Sequence, residues 1–154
     1  MDEKKIVENK NKTFVKKQLN HLDLKWYIID AKQQNLGRFS SKIAYILKGK
    51  NNPEYCPSQE SNIKIIIINS KDISVTGKKN KQKIYVTHSG RPGGLKKETF
   101  HKLQDRIPNR IIEHAIRGML PKNSLGRKLF KKLKIYSNHQ HPHEAQKPIR
   151  LEIK

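Results

Sequence analysis

"IKIIIINS", residues 63–70, places four isoleucines in a row at positions 65–68 with no polar alternation. β-branched side chains suit extended backbone, and an unbroken apolar run predicts a strand buried on both faces. Such a strand belongs in a mostly parallel sheet flanked by helices. Working outward, "KWYIID", residues 25–30, is a second aromatic and β-branched run and predicts another buried strand. Between the two, "NLGRFSSKIAYILKGK" predicts a helix. Asn35 is its expected cap and Gly49 its stop; Leu36, Phe39, Ile43 and Ile46/Leu47 fall on one face, leaving Lys42 and Lys48 in water.

Downstream, "ISVTG" (73–77) and "KIYVTHSG" (83–90) predict strands joined by a basic turn, "KKNKQK". "SGRPGGLKKETFHKL" (89–103) reads as a Gly/Pro loop running into a helix. Pro108 suits the first turn of the next helix, where Ile111, Ile112, Ala115, Ile116, Met119 and Leu120 follow the 3.6-residue period until Pro121 stops it. Ser124 is the expected cap of a last helix over "SLGRKLFKKLKIY", with Leu125, Leu129, Phe130 and Leu133 as its apolar stripe. The chain is therefore expected to be one compact α/β domain over residues 13–154, with basic loops and a C-terminal extension. Residues 1–12 carry seven charges and almost no apolar periodicity, which predicts a disordered basic tail.

Charge bounds the function. The 154 residues hold 34 Lys+Arg against 13 Asp+Glu, a formal +21. An excess of that size repels itself in the compact state, so a polyanionic partner is expected, nucleic acid before an anionic membrane. No apolar run reaches the length of a membrane span. The lone Cys56 has no CxxC context and fits a reducing compartment. The opening "MDEKKIVENKNK" lacks the pattern of a secretory or transit peptide, so use in the compartment of synthesis is expected.

The candidate chemistry is sparse. "NHQHPHEAQKP" (138–148) spaces His139, His141 and His143 as zinc ligands can be, but prolines interrupt it and no cysteine or second histidine pair is near. A stiffened loop whose imidazoles hydrogen-bond backbone or partner groups is the reading preferred, with no metal or other cofactor. "GRPGGLKKETF" and "VTGKKNK" place glycine before lysine without matching a nucleotide-binding fingerprint. Gly90, Gly93 and Gly94 with Arg91, Lys96 and Lys97 suit a loop that approaches RNA phosphates. Ser89 beside His88 lacks a nucleophile elbow, and Asp30, Asp72, Glu98 and Glu113 are scattered. No enzyme is expected. The last helix is the sharpest signal: its stripe packs inward while Arg127, Lys128, Lys131, Lys132 and Lys134 occupy the rest. A membrane-surface helix is the alternative, but positive charge recurs in residues 78–83 and 91–97, a spread that suits a folded RNA.

"GMLPKNSLGRKLFKKLKIYSNHQHPHEAQKP", residues 118–148, closely resembles the large-subunit ribosomal protein thirteen family in its bacterial and organellar branch. "WYIIDAKQQNLGRFSSKIAYILKGK", "YCP" at 55–57, "VTGKK" and "HSGRPGGLK" resemble further motifs of that family at matching spacing, covering residues 13–154. The resemblance implies a non-enzymatic structural component that binds large-subunit ribosomal RNA, sits beside other large-subunit proteins, acts early in assembly and takes no small-molecule substrate. By position it nominates Arg38, Lys48, Lys50, Lys78, Gly93, Gly94, Lys96, Lys122, Arg127, Lys128, Lys131, Lys132, His141 and His143 as RNA-facing. His139 lies outside the motif, and Asn138 stands where glycine is usual. An RNA-processing enzyme or nucleotide-dependent RNA-binding factor on the same fold is the rival reading. Lysine outnumbers arginine 27 to 7 and Ile and Asn are abundant, a bias of A/T-rich codons. It favours a plastid ribosome with an organelle-encoded copy, the alternative being a bacterial cytoplasm.

Overall fold

The computed structural model describes residues 24–53 and 55–152. The expected tail, residues 1–12, and the domain start at residue 13 lie outside the described residues. Strand β1 (Lys25–Asp30) leads through helix α1 (Leu36–Leu47) to β2 (Ile63–Ile68). Then come a short helix α2 (Lys79–Gln82), strands β3 (Ile84–His88) and β4 (Leu95–Thr99), and helices α3 (Phe100–Arg106), α4 (Pro108–Met119) and α5 (Ser124–Lys131). Strands β5 (Leu133–Ile135) and β6 (Ile149–Arg150) finish the chain. One sheet runs β5-β2-β1-β6 with every pairing parallel, and β3 pairs antiparallel with β4 in a separate hairpin. The expected parallel α/β architecture is the one observed.

The isoleucine run explains the layering. Alternate residues of a strand face opposite sides. Ile63, Ile65 and Ile67 join Ile29 of β1 in the main core with Phe39, Ile43 and Leu47 of α1 and Ile111, Ile112 and Ile116 of α4. Ile66 and Ile68 are equally buried but lie outside that cluster, toward the second face. Strands β5 and β6 occupy opposite edges of the sheet, so the segment between them must cross it. It crosses over the second face, where His143 lies against Trp26 with ring centroids 5.2 Å apart. Lys64, the register partner of Trp26 on β2, holds its ammonium 4.6 Å over the same indole.

Several local expectations are corrected. "ISVTG" forms no strand: Ser70–Asp72 is a 3-10 turn, and Ser74 makes only an isolated bridge to Asn35. Ile73 is buried and Val75 packs partly on the core, while Thr76 and Gly77 stand in solvent with no partner strand among the described residues. The "KKNKQK" turn contains the helical turn α2. "LKKET" is strand β4 rather than loop, because the turn at Gly93–Gly94 brings it back along β3. The last helix stops at Lys131, and Leu133–Ile135 pairs with β2 as β5. Helical and alternating patterns cannot be separated over so short an apolar run. The cap of α5 is Asn123, whose side chain accepts a hydrogen bond from the Gly126 amide at 2.9 Å, and not Ser124.

Candidate nucleic-acid interface

Helix α5 is set rigidly before its charges matter. Leu129 is buried, and Gly126 packs so closely on Pro121 that a Cβ there would lie 1.8 Å from the proline carbonyl oxygen. With that face occupied, Arg127, Lys128 and Lys131 are exposed. Lys128 and Lys132 converge on Glu60, each ammonium 3.0 Å from one of its carboxylate oxygens. Hydrogen bonds from Lys128 and then Lys132 hold the Glu60 carboxyl below the usual carboxylate range. Lys132 also donates to the Ser61 carbonyl at 2.6 Å, and its side chain is only 15% exposed. Of the basic residues assigned to this segment, Lys132 is therefore an internal tie rather than a free cation. Arg127 and Lys131 have no such partner among the described residues.

Lys132→Met should destabilise the fold by about 1–3 kcal/mol, the range for leaving a part-buried polar group without its partner. Urea denaturation measures it, and an unchanged midpoint would show the tie contributes nothing. The pH dependence has a definite sign. Because the folded Glu60 pKa is depressed, its stabilisation is present above the ordinary glutamate pKa and lost as pH falls through the lowered value. Repeating the denaturation series on the Lys132→Met chain should show that part of the acid dependence reduced.

The other nominated cations are distributed. Arg38 is exposed in the first turn of α1, and Lys48 and Lys50 flank Gly49 just past its last turn. Ten residues of helix separate Arg38 from Lys48, about 15 Å along the axis. Lys78 precedes α2, Lys96 lies on β4, and Lys122 stands exposed between α4 and α5. The structure thus spreads these residues over several elements instead of gathering them at one point. Gly93 turns the hairpin with φ +73°. Gly94 is required internally, since a Cβ there would come 2.1 Å from the Ser89 hydroxyl and 2.8 Å from the Arg91 carbonyl. His88 is likewise engaged in the turn, its Nδ1 accepting from the Gly90 amide at 2.9 Å.

The histidine segment is a packed strap. His143 Nε2 lies 2.8 Å from the Tyr136 hydroxyl, its ring against Trp26, and its amide donates to His141 Nδ1 at 3.2 Å. His141 and His143 stack at 6.4 Å, and among the described residues no group of three His, Cys, Asp or Glu is arranged to hold a metal. Burial, then the nearby His141, Lys134 and Lys64, push the His143 pKa below the ordinary histidine value. Its ring therefore caps the sheet in the neutral form, which leaves it poorly suited to hold a phosphate as a charged donor. Protonation favours the unfolded chain, so stability contributed by His143 is full above the ordinary histidine pKa and is lost as pH falls through the lowered one. An NMR titration should give His143 a midpoint below the ordinary histidine value; a midpoint at or above that value would contradict the packing.

Sequence reasoning missed three groups. Glu60 and Ser61 anchor α5 from the loop just beyond "YCP", at positions that carry no signal of their own. Asn109 receives hydrogen bonds from the Ser70 and Ser137 hydroxyls and donates to the Ile135 carbonyl at 3.2 Å, joining α4 to the ends of β2 and β5. Arg110 and His114 line a cleft under the hairpin with Tyr85 and Lys96. A polar residue on the outward period of α4 gives no signal for either role.

No helix among the described residues is long and apolar enough to cross a membrane. Comparison with known proteins gives a consistent picture. Residues 24–142 match the family described as Ribosomal protein L13. Large ribosomal subunit protein uL13 of Cyanothece sp. is 56% identical over 144 residues, covering 94% of this chain and 96% of that protein. The uL13 protein of Rippkaea orientalis is 60% identical over 130 residues, covering 84% and 86% respectively. That of Synechocystis sp. is 58% identical over 135 residues, covering 88% and 89%. With identity this high across nearly the whole length, the chain belongs to the ribosomal protein L13 family.

Proposed function

We propose that the chain is a structural constituent of the large ribosomal subunit that binds large-subunit ribosomal RNA and supports its folding during early assembly. The observation that carries this reading is helix α5, whose exposed Arg127 and Lys131 are fixed on a packed base in a chain of this family. Lysine and arginine that neutralise phosphates release counterions, and cations spread over α1, the hairpin and α5 can bridge separate RNA elements. A ligand that contacts several helices at once favours the compact state of the RNA, because it binds that state better. Recognition of RNA shape suffices; base reading is not required. The role is not enzymatic.

The site residues we assign to RNA are Arg38, Lys48, Lys50, Lys78, Gly93, Lys96, Lys122, Arg127, Lys128, Lys131 and His141, with Gly94, Lys132 and His143 shaping the surface. Neighbouring large-subunit proteins complete the environment. We place the chain in a plastid ribosome, supported by its Lys, Ile and Asn bias and by the cyanobacterial relatives. Sequencing the DNA of purified plastids tests that placement. Filter binding to a large-subunit rRNA transcript tests the RNA reading. Affinity should fall steeply with salt, with a log–log slope of roughly −0.7 to −0.9 per phosphate contacted. A salt-independent affinity, or none, overturns it.

A further inference from the structure

The inner face of the β3–β4 hairpin stands over α3 and α4 and encloses a cleft of about 350 Å³. Its apolar lining comes from Tyr85, Val86 and Leu103. Tyr85 is held from below by Phe100 at 6.5 Å between ring centroids, and His114 of α4 meets it edge-on at 5.5 Å and 89°. The two rings meet at a right angle inside the cleft. Around the opening stand three permanent cations, Lys96, Arg106 and Arg110, against one carboxylate, Glu98. That carboxylate is spent: Arg106 clamps it through Nε at 3.0 Å and through a terminal nitrogen at 2.6 Å. Arg110 makes no hydrogen bond through its guanidinium among the described residues, and neither does Lys96 through its ammonium. Arg110 acts on Glu98 only electrostatically, behind the Arg106 clamp, so its guanidinium and the Lys96 ammonium are the cations the cleft can offer a ligand.

We propose that this cleft receives a single unpaired nucleotide of the bound RNA, its base in the Tyr85–His114 corner and its phosphate between Arg110 and Lys96. The proposal rests on the RNA-binding reading and adds a specific subsite to it. The volume is at the low end of the roughly 300–1,000 Å³ range of small-ligand sites, enough for one such group and not for a stack. Unstacked bases are recognised on aromatic faces, with guanidinium and ammonium groups on the adjoining backbone. An acidic protein segment would satisfy the cations but would leave the aromatic corner without a matching ring. Burial also raises the Tyr85 pKa, which keeps the phenol neutral and its hydroxyl a donor beside an anion.

The test is the affinity of the full chain for a cyanobacterial large-subunit rRNA transcript. His114 and Arg110 are exposed, so their substitution leaves the core intact. His114→Ala and Arg110→Ala should each weaken binding about tenfold, within the range for losing one base–aromatic contact. His114→Phe, which keeps a flat ring, should restore it. If Arg110→Ala weakens binding while His114→Ala does not, the cleft is only a patch of charge and the nucleotide is ruled out. If both bind as the unaltered chain does while Arg127→Ala weakens binding, the subsite fails and the RNA reading stands. If none of the three has an effect, both fail. Unchanged rRNA affinity with reduced incorporation into reconstituted subunits would assign the cleft to a neighbouring protein instead.

Discussion

Gly126→Ala should destabilise the domain by about 3 kcal/mol, the upper end of the usual range for overpacking a site that cannot relax. The added methyl would sit 1.8 Å from the Pro121 carbonyl oxygen and 2.8 Å from its carbon, both backbone atoms that no side-chain rotation can move. For a domain of this size the loss corresponds to a melting temperature lower by about 6–12 °C. The displaced element is α5, so RNA affinity should fall with stability. Gly118→Ala is the contrast: it lies exposed in α4 with nothing within 4 Å of where the new methyl would stand, and should stabilise by about 0.5–1 kcal/mol through helix propensity. Thermal melts of the two variants separate the explanations. Equal melting temperatures would mean that the turn at Pro121 yields, and that the α5 platform is softer than its packing implies.

Arg127→Ala combined with Lys131→Ala should leave the fold nearly unchanged and sharply reduce RNA binding. Both side chains are exposed, and surface substitutions away from packed features stay within about ±0.5 kcal/mol. Each lost phosphate contact removes roughly 0.7–0.9 from the slope of log affinity against log salt, so the pair should flatten it by about 1.4–1.8. Lys132→Met supplies the opposite signature, because its ammonium is engaged by Glu60 and Ser61. That variant should lose stability while its salt slope stays close to that of the unaltered chain. A flattening after Lys132→Met, with none after the double substitution, would reverse the assignment of free and internal cations on α5.

These contrasts also show where sequence reasoning reaches and where it ends. The run Ile65–Ile68 announces a two-faced strand because continuous burial leaves no position for a polar side chain, and both faces are indeed covered. Helices α1 and α4 are legible for the same reason in another period: Leu36, Phe39, Ile43 and Leu47, and Ile111, Ile112, Ile116 and Leu120, reach the core, although Met119, expected on the same face, is exposed. Leu133 misleads because it continues the stripe of Leu125 and Leu129 at helical spacing while also alternating with Ile135. Only the open edge of β2 decides between the two, and that edge is a tertiary fact. The hairpin is only half legible because β4, "LKKET", is mostly polar and exposed, with no apolar signal of a strand.

The candidate surface follows a similar division. Net charge and motif spacing point to RNA and to the residues from Lys122 to His143. They cannot distinguish a lysine in water from one tied to a backbone carbonyl 71 residues away, as Lys132 is. Nor can three histidines in alternation reveal that His143 faces Trp26 across the sheet. The strap reading of "NHQHPHEAQKP" is legible from its prolines; the sheet face it covers is not. Arg110 and His114 stay hidden because an outward polar position on a helix looks the same whether solvent or a hairpin stands over it.

The central claim, that this is a large-subunit ribosomal protein held on RNA through fixed cations, is tested most directly by sedimentation of the full chain with ribosomes from its own cells. The chain should migrate with the large subunit and remain there through a moderate-salt wash. Recovery at the top of the gradient, or with the small subunit, would contradict the account.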